Sequence, residues 1–193
     1  MMAVSRGKSL GEAVEGAVAG LDFERVRREY WEQNEFVFLE RFLPPAVVAE
    51  RLVPQVERLR PDVHRSYLPR FKKGGSVSAY TLSEKAPEFL ELYRSPAFLG
   101  FLSRLVDARL TLCPKNDPHA CALYFYTEPT SMAIFNGDKL WHSITPLGNG
   151  EERVSLTPEY VTNPEMPPLK RLFSNMKDAF AYFGVRTLLR RRR

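Results

Sequence analysis

Two side chains in the C-terminal half of the chain could do chemistry together, His142 and Arg153. They lie eleven positions apart in KLWHSITPLGNGEERVSLT, on either side of a Gly-Asn-Gly turn. A hairpin across that turn would let both project from one face of a sheet. There a neutral imidazole can bind a transition metal, and a guanidinium can hold a carboxylate bidentately. The pattern alone more often marks a histidine whose hydrogen bonds are satisfied in the core or at the surface, beside a solvated arginine.

The other candidate groups carry weaker patterns. His64, in RPDVHRSYLPR, is expected in a surface loop. Cys113 and Cys121 flank CPKNDPHAC, whose spacing is not that of a zinc site, so we expect reduced thiols and a cytoplasmic protein. The run KKGG at residues 72–75 is too short to cradle a phosphate and indicates a solvated turn.

The elements that would position these groups are predicted to be helices first, then an antiparallel sheet, then a closing helix. Helical spacing and caps predict helices over residues 22–34, 44–61, 86–93, 95–106 and 167–184. Alternation and turn signals predict strands over residues 35–42, 108–113, 120–128, 132–135, 139–147 and 153–161. Pro54 should kink or shorten its helix, and residues 71–82 read as a Gly-centred turn before an extended stretch. The predicted fold class is therefore α+β.

Length and charge give a simple domain organisation. The 193 residues are 44% hydrophobic and 26% charged, which is typical of one globular domain, and no apolar run is long enough to span a membrane. We expect a mobile segment or weak helix over residues 1–20, a domain over 21–189 and a basic tail over 190–193. The net charge of +5 comes mostly from that Arg tail. The tail is either a solvated end or a weak, salt-sensitive contact for nucleic acid or anionic lipid. Nucleic acid is the less favoured, because no aromatic and basic stripe accompanies the tail.

The segments ACALYFYTEP and FNGDKLWHSITPLGNGEERVSLTPEYV resemble the catalytic region of the 2-oxoglutarate/Fe(II)-dependent oxygenases (Fe2OG dioxygenases), in a bacterial branch. FLPPAVVAERL and PPLKRLFSNMKDAFAYFG resemble the same branch, so the similarity covers most of the chain. The resemblance implies an antiparallel double-stranded β-helix, or jelly roll, that uses Fe(II) and 2-oxoglutarate. It implies that His142 is the distal iron ligand, that Arg153 anchors the far carboxylate of 2-oxoglutarate, and that Tyr124 hydrogen-bonds that cosubstrate.

One departure from the family changes the expected activity. Family members supply the other two iron ligands from an H-x-D or H-x-E motif, and this sequence contains neither. Only eight positions separate Glu128 from Asn136, where the family carries the motif and several strands. Five predicted strands follow residue 108, against about eight in a closed jelly roll. The candidates for the missing ligands are Asp117, His119, Glu128 and Asp138.

Three hypotheses follow for the function. The chain is a dioxygenase-family hydroxylase, impaired because two of three iron ligands are absent. Alternatively it is a catalytically inactive family remnant, or a non-enzymatic binding or assembly module. An incomplete sheet leaves edges through which copies could self-associate. The substrate, a small molecule or a protein, is not specified by the sequence, and no membrane partner is expected.

Overall fold

The computed structural model describes residues 9–68, 72–127, 131–135, 153–178 and 182–184. The predicted α+β class is confirmed. Helices dominate the first half of the chain, antiparallel strands follow, and a helix comes after the last strand. The helices are α1 (Leu10–Ala19), α2 (Phe23–Glu32), α3 (Pro45–Val47), α4 (Val53–Leu59), α5 (Ala79–Lys85), α6 (Glu88–Arg94), α7 (Pro96–Leu105) and α8 (Pro168–Asp178). The strands are β1 (Phe36–Glu40), β2 (His64–Leu68), β3 (Lys72–Val77), β4 (Thr111–Leu112), β5 (Cys121–Thr127), β6 (Ser131–Phe135), β7 (Arg153–Pro158) and β8 (Tyr160–Val161).

Of the two alternatives predicted for residues 1–20, a mobile segment or a weak helix, Leu10–Ala19 forms a helix, α1. Ser9 and Glu12 form a capping box, with Glu12 N donating to Ser9 Oγ at 3.1 Å and Ser9 N donating to Glu12 Oε2 at 2.7 Å. Leu10 and Val14, four positions apart on one face, are completely buried. The helix therefore packs into the core through this short apolar stripe. The stripe is hard to recognise in the sequence because most other residues of the helix are small.

The helix predicted around Pro54 is present but irregular. A π-helical segment, Val48–Leu52, separates α3 from α4, and a 3₁₀ turn, Arg60–Asp62, ends the run. Pro54 lacks an N–H, and its ring crowds the carbonyl of residue 50, so the regular α ladder is interrupted one turn before the proline. The predicted kink is therefore present as this π-helical segment, whose turn is wider than that of an α-helix.

The sheet that matters for the site has four antiparallel strands in the order β2-β3-β5-β7. Strand β5 is central and pairs Ser76 of β3 and Ser155 of β7 on either side of Tyr124. Two shorter antiparallel pairs, β1 with β6 and β4 with β8, complete the described strands. The predicted hairpin at Asn136-Gly137 lies outside the described residues.

Two local predictions were wrong. The Gly-centred turn predicted within residues 71–82 is part of strand β3 (Lys72–Val77), and the predicted extended stretch ends where helix α5 (Ala79–Lys85) begins. Gly75 occupies a strand position that requires glycine, because a Cβ there would collide with Cγ1 of Val63. His64 lies on strand β2, opposite Ser76, and not in a loop.

The hydrophobic core forms two clusters that share partly buried residues. One packs α1, α2, β1 and α7 around Tyr30 and Phe98, and the other lies between the sheet and helices α5 and α6. Leu156 and Tyr160 contact both clusters, which ties β7 and β8 to each. Among the described residues, none of the helices is both long and apolar enough to cross a membrane.

Candidate functional site

Tyr124 stands on the polar side of the central strand. Its neighbours Leu123 and Phe125 are buried in the core, and alternation along a strand turns Tyr124 to the opposite side. The Tyr124 hydroxyl lies 2.9 Å from Nδ1 of His119, so the phenol and the imidazole share one hydrogen bond. The result is a half-buried Tyr–His pair on one face of the four-stranded sheet.

The loop before β5 holds His119 in place through Asp117. Oδ1 of Asp117 accepts the backbone N–H of His119 at 2.9 Å, which is the usual way an Asp stabilises a turn. Oδ2 of Asp117 forms an ion pair with Nη1 of Arg171, on α8, at 2.6 Å. The side chains of Asp117 and Arg171 are only 16% and 10% exposed, so this ion pair is largely shielded from water.

The C-terminal segment Tyr182–Gly184 covers the Tyr–His pair. The rings of Tyr182 and Phe183 lie 4.7 Å and 4.6 Å from the His119 ring, both in edge-on geometry. Ser76 Oγ donates to the carbonyl of Tyr182 at 2.5 Å. These contacts pack an aromatic cover onto the polar side of β3 and β5.

Gly184 ends this cover with a backbone conformation that only glycine adopts easily. Its φ is +77°, and a Cβ at this position would lie 3.0 Å from the His64 ring. Gly184, the last residue of the range predicted for the final helix, therefore lies where the backbone closely approaches the His64 ring.

A groove of about 390 Å³ opens beside the Tyr–His pair. Its walls carry both signs of charge, since Asp117, Glu159, Arg171 and Lys177 all line it, and His119 lines it as well. Burial, with the nearby Asp117 and Glu159 charges, raises the pKa of the Cys113 thiol on this wall to about 12. Cys113 is therefore a neutral thiol at physiological pH and is not activated as a nucleophile.

The structure brings together only some of the residues that the sequence singled out. Tyr124 lies on β5. Arg153 is the first residue of the neighbouring strand β7, and its backbone pairs with Thr127 next to a bulge in β5. His142, Glu128 and Asp138 lie outside the described residues. The metal role of His142 and the cosubstrate roles of Arg153 and Tyr124 stay predictions.

The proposed replacement ligands Asp117 and His119 serve the local structure. Both carboxylate oxygens of Asp117 accept hydrogen bonds, and Nδ1 of His119 faces the Tyr124 hydroxyl. Within residues 9–68, 72–127, 131–135, 153–178 and 182–184, no three His, Cys, Asp or Glu side chains come close enough to hold a metal ion. The described residues by themselves therefore form no three-ligand metal site.

Sequence reasoning missed the Asp117–Arg171 pair and the Tyr182–Phe183 cover. A signal for the first was present, because Asp-Pro before His119 is a strong turn former. A second signal was a basic residue at 171 and an amide at 175, one turn apart and therefore on one side of the predicted helix. Neither signal says which partner 54 positions away would be chosen.

Fold and site together define an α+β protein whose four-stranded antiparallel sheet carries a covered Tyr–His pair beside a groove of mixed charge. No family model matches the chain, and no curated protein matches its sequence.

Proposed function

We propose that this chain is a 2-oxoglutarate/Fe(II) oxygenase-family protein that binds a small dicarboxylate on its sheet but has lost the iron-dependent reaction. In this proposal the four-stranded sheet is the remaining part of a jelly roll. The proposal rests on the resemblance of the residues around Tyr124 and Arg153 and on one structural observation that supports it, the pairing of β5 with β7.

That pairing brings the two predicted cosubstrate residues to neighbouring strands. Tyr124 of β5 is opposite Ser155 of β7, and Arg153 lies two positions before Ser155 on β7. Two residues along a strand span about 7 Å, and paired strands lie about 5 Å apart. The backbone of both residues is therefore within reach of one small dicarboxylate. A guanidinium binds a carboxylate through two parallel hydrogen bonds, and a phenol can donate a third.

Two features of the site argue for binding without turnover. Fe(II), where a family member holds it, lets 2-oxoglutarate and O₂ give succinate, CO₂ and an oxidised substrate. The sequence supplies no H-x-D or H-x-E, and the Asp117 carboxylate is already engaged by Arg171. A single histidine with no fixed carboxylate binds a divalent metal loosely.

The Tyr182–Phe183 cover sets a cost for ligand entry. Tyr124 exchanges its hydrogen bond to His119 for one to the ligand, and the aromatic cover must move from the polar side of the sheet. The apparent affinity is the intrinsic affinity multiplied by the fraction of molecules in which the cover is open. We therefore expect weak binding.

Calorimetric titration of 2-oxoglutarate into the full chain, without metal, tests the proposal. Arg153→Ala should weaken binding about tenfold or more, as expected when a charged hydrogen-bond pair is lost. Tyr124→Phe should weaken it about threefold to tenfold. Arg28→Ala, which removes an exposed arginine from α2, is the matched control and should leave the affinity unchanged. Equal binding by the parent chain and Arg153→Ala would overturn the proposal.

A further inference from the structure

Helix α8 is docked to the rest of the protein by its polar face. Arg171 and Asn175, one turn apart, are 8% and 3% exposed. Arg171 pairs with Asp117 at 2.6 Å, and Asn175 Nδ2 donates to the carbonyl of Asn116 at 3.0 Å. Since residues four apart share one side of a helix, these two contacts fix which side faces the protein.

The opposite face of α8 is apolar and faces outward. Leu169 and Phe173 are 65% and 61% exposed, and Leu172 and Met176 are also exposed. Their spacing of i, i+3, i+4 and i+7 makes one continuous stripe along the helix. A helix on the surface of a globular protein normally turns such a stripe to the core. Here the arrangement is inverted, so the stripe is available to an apolar partner.

Basic residues concentrate in the same part of the sequence. Residues 168–193 contain eight Lys or Arg and one acidic residue, Asp178. The preceding 167 residues contain twenty basic and twenty-two acidic residues. On α8 itself Lys170 and Lys177 are exposed beside the stripe, and Arg190–Arg193 follow in the sequence. An apolar stripe flanked by cationic side chains is complementary to a surface that is apolar inside and anionic outside.

We propose that α8 is a peripheral membrane-binding helix that lies on an anionic phospholipid bilayer. Leu169, Leu172, Phe173 and Met176 enter the boundary between headgroups and acyl chains, while Lys170 and Lys177 remain at the anionic headgroups. The Arg190–Arg193 run adds attraction to the same surface. At 11 residues, α8 is about 16 Å long, which suits a helix lying in the interface and not one that spans the bilayer.

Charge distinguishes this partner from a second copy of the chain. Two copies joined through the stripe would bring Lys170 and Lys177 of each helix together, and like charges in contact oppose association. A nucleic acid would satisfy the basic residues but would leave the apolar stripe in water. An anionic bilayer satisfies both features at once.

Vesicle co-sedimentation of the full chain tests this proposal. Vesicles of phosphatidylcholine containing about a third phosphatidylglycerol should bind the chain about tenfold or more tightly than vesicles of phosphatidylcholine alone, at about 0.1 M salt. Phe173→Gln should weaken binding about fivefold or more, with Leu169→Gln as an independent second variant. Replacing Arg190–Arg193 by Gln should weaken it and reduce its salt dependence. Trp31→Gln, which removes an exposed aromatic side chain from α2, is the matched control and should bind as the parent does.

Several outcomes overturn the proposal. One is binding that is equal for the two vesicle compositions, or absent for both. Another is binding that survives both Phe173→Gln and Leu169→Gln when thermal melting shows that the variants are folded. Sedimentation velocity without lipid provides the last arm. A dimer that Phe173→Gln converts to a monomer, together with no vesicle binding, would assign the stripe to a second copy instead.

Discussion

Asp117 and Arg171, 54 positions apart in the sequence, join their side chains at 2.6 Å. The same Asp117 carboxylate accepts the backbone N–H of His119, and the same Arg171 anchors the polar face of α8. One ion pair therefore sets two orientations. It holds the imidazole against Tyr124, and it keeps the apolar stripe of α8 turned outward.

Breaking this ion pair should destabilise the protein measurably. Because both side chains are mostly buried, Asp117→Ala or Arg171→Ala each leaves a shielded charge without its partner, and each should lower the free energy of unfolding by about 1–3 kcal/mol. Urea denaturation of the single and double variants gives the coupling energy, expected at about 1–2 kcal/mol. The exposed pair Glu57–Arg60 provides the control, and Glu57→Ala should leave the free energy of unfolding nearly unchanged, since exposed ion pairs contribute little. Additive effects of Asp117→Ala and Arg171→Ala would show that the pair does not act as a unit.

The aromatic cover should depend on Gly184. Gly184→Ala forces a residue with a Cβ to φ +77° and places that Cβ against the His64 ring, which should cost the docked segment about 1–2 kcal/mol. In NMR spectra the His119 ring resonances should lose the ring-current shifts from Tyr182 and Phe183. Gly100→Ala, on α7 with no neighbour within 4 Å, should leave these resonances in place. Adding His64→Ala should restore the shifts in part, since it removes the contact but not the backbone strain. Unchanged His119 shifts in Gly184→Ala would contradict this description of the cover.

Helix α1 offers two substitutions with opposite expected signs. Leu10→Ala opens a cavity in the core and should lower the free energy of unfolding by about 2–4 kcal/mol. Gly16→Ala adds a methyl group at an exposed helical position with nothing within 4 Å, and it should raise that free energy by about 0.5–1 kcal/mol. Chemical denaturation measures both. Two neutral substitutions would mean that residues 10–19 contribute nothing to the folded core.

The buried thiols predict a loss of stability at alkaline pH. Burial raises the pKa of Cys113 and of Cys121 to about 12, whereas an unfolded thiol titrates near about 8.5. From pH about 8.5 up to about 12 the folded state binds more protons than the unfolded state, so the free energy of unfolding falls as the pH rises. Between pH 7.5 and 10 the expected loss is about 2 kcal/mol per thiol.

The variant Cys113→Ala/Cys121→Ala isolates this effect in urea denaturation at the two pH values. Its stability should decline less than that of the parent chain. Burial also raises the pKa of Tyr93 and Tyr160, and both tyrosines remain buried in the variant, so burial of these phenols contributes to the decline of both chains. Equal declines in the two chains would show that the thiols are not responsible.

Most of the correct fold predictions came from local sequence patterns. Contacts between residues that are distant in the sequence could not be predicted from those patterns. Asp22 caps α2 through Arg25 N at 3.0 Å, and Ser95 caps α7 through Phe98 N at 3.2 Å, as short-range chemistry requires. Gly75 was predicted to lie in a turn, but glycine is needed there because the side chain of Val63, just before β2, leaves no room for a Cβ. Helix α8 was predicted from the sequence, but the outward direction of its apolar stripe depends on Asp117, in a loop 54 positions before Arg171.

The candidate site divides in the same way. Tyr124 was placed correctly on a strand by alternation, and Arg153 by the strand after the Gly-Asn-Gly turn. The Tyr182 and Phe183 rings over His119 were not predicted, because aromatic residues near the end of a helix indicate a core face without saying what they cover.

The affinity for 2-oxoglutarate, measured anaerobically with and without Fe(II), tests the central claim most directly. We predict saturable binding that Arg153→Ala weakens about tenfold and that Fe(II) changes by less than about twofold, with no charge-transfer band in the visible spectrum. An affinity that rises about tenfold or more with Fe(II), together with a saturable band that His142→Ala abolishes, would contradict the account. That result would mean that the chain assembles a working iron site from residues other than an H-x-D motif.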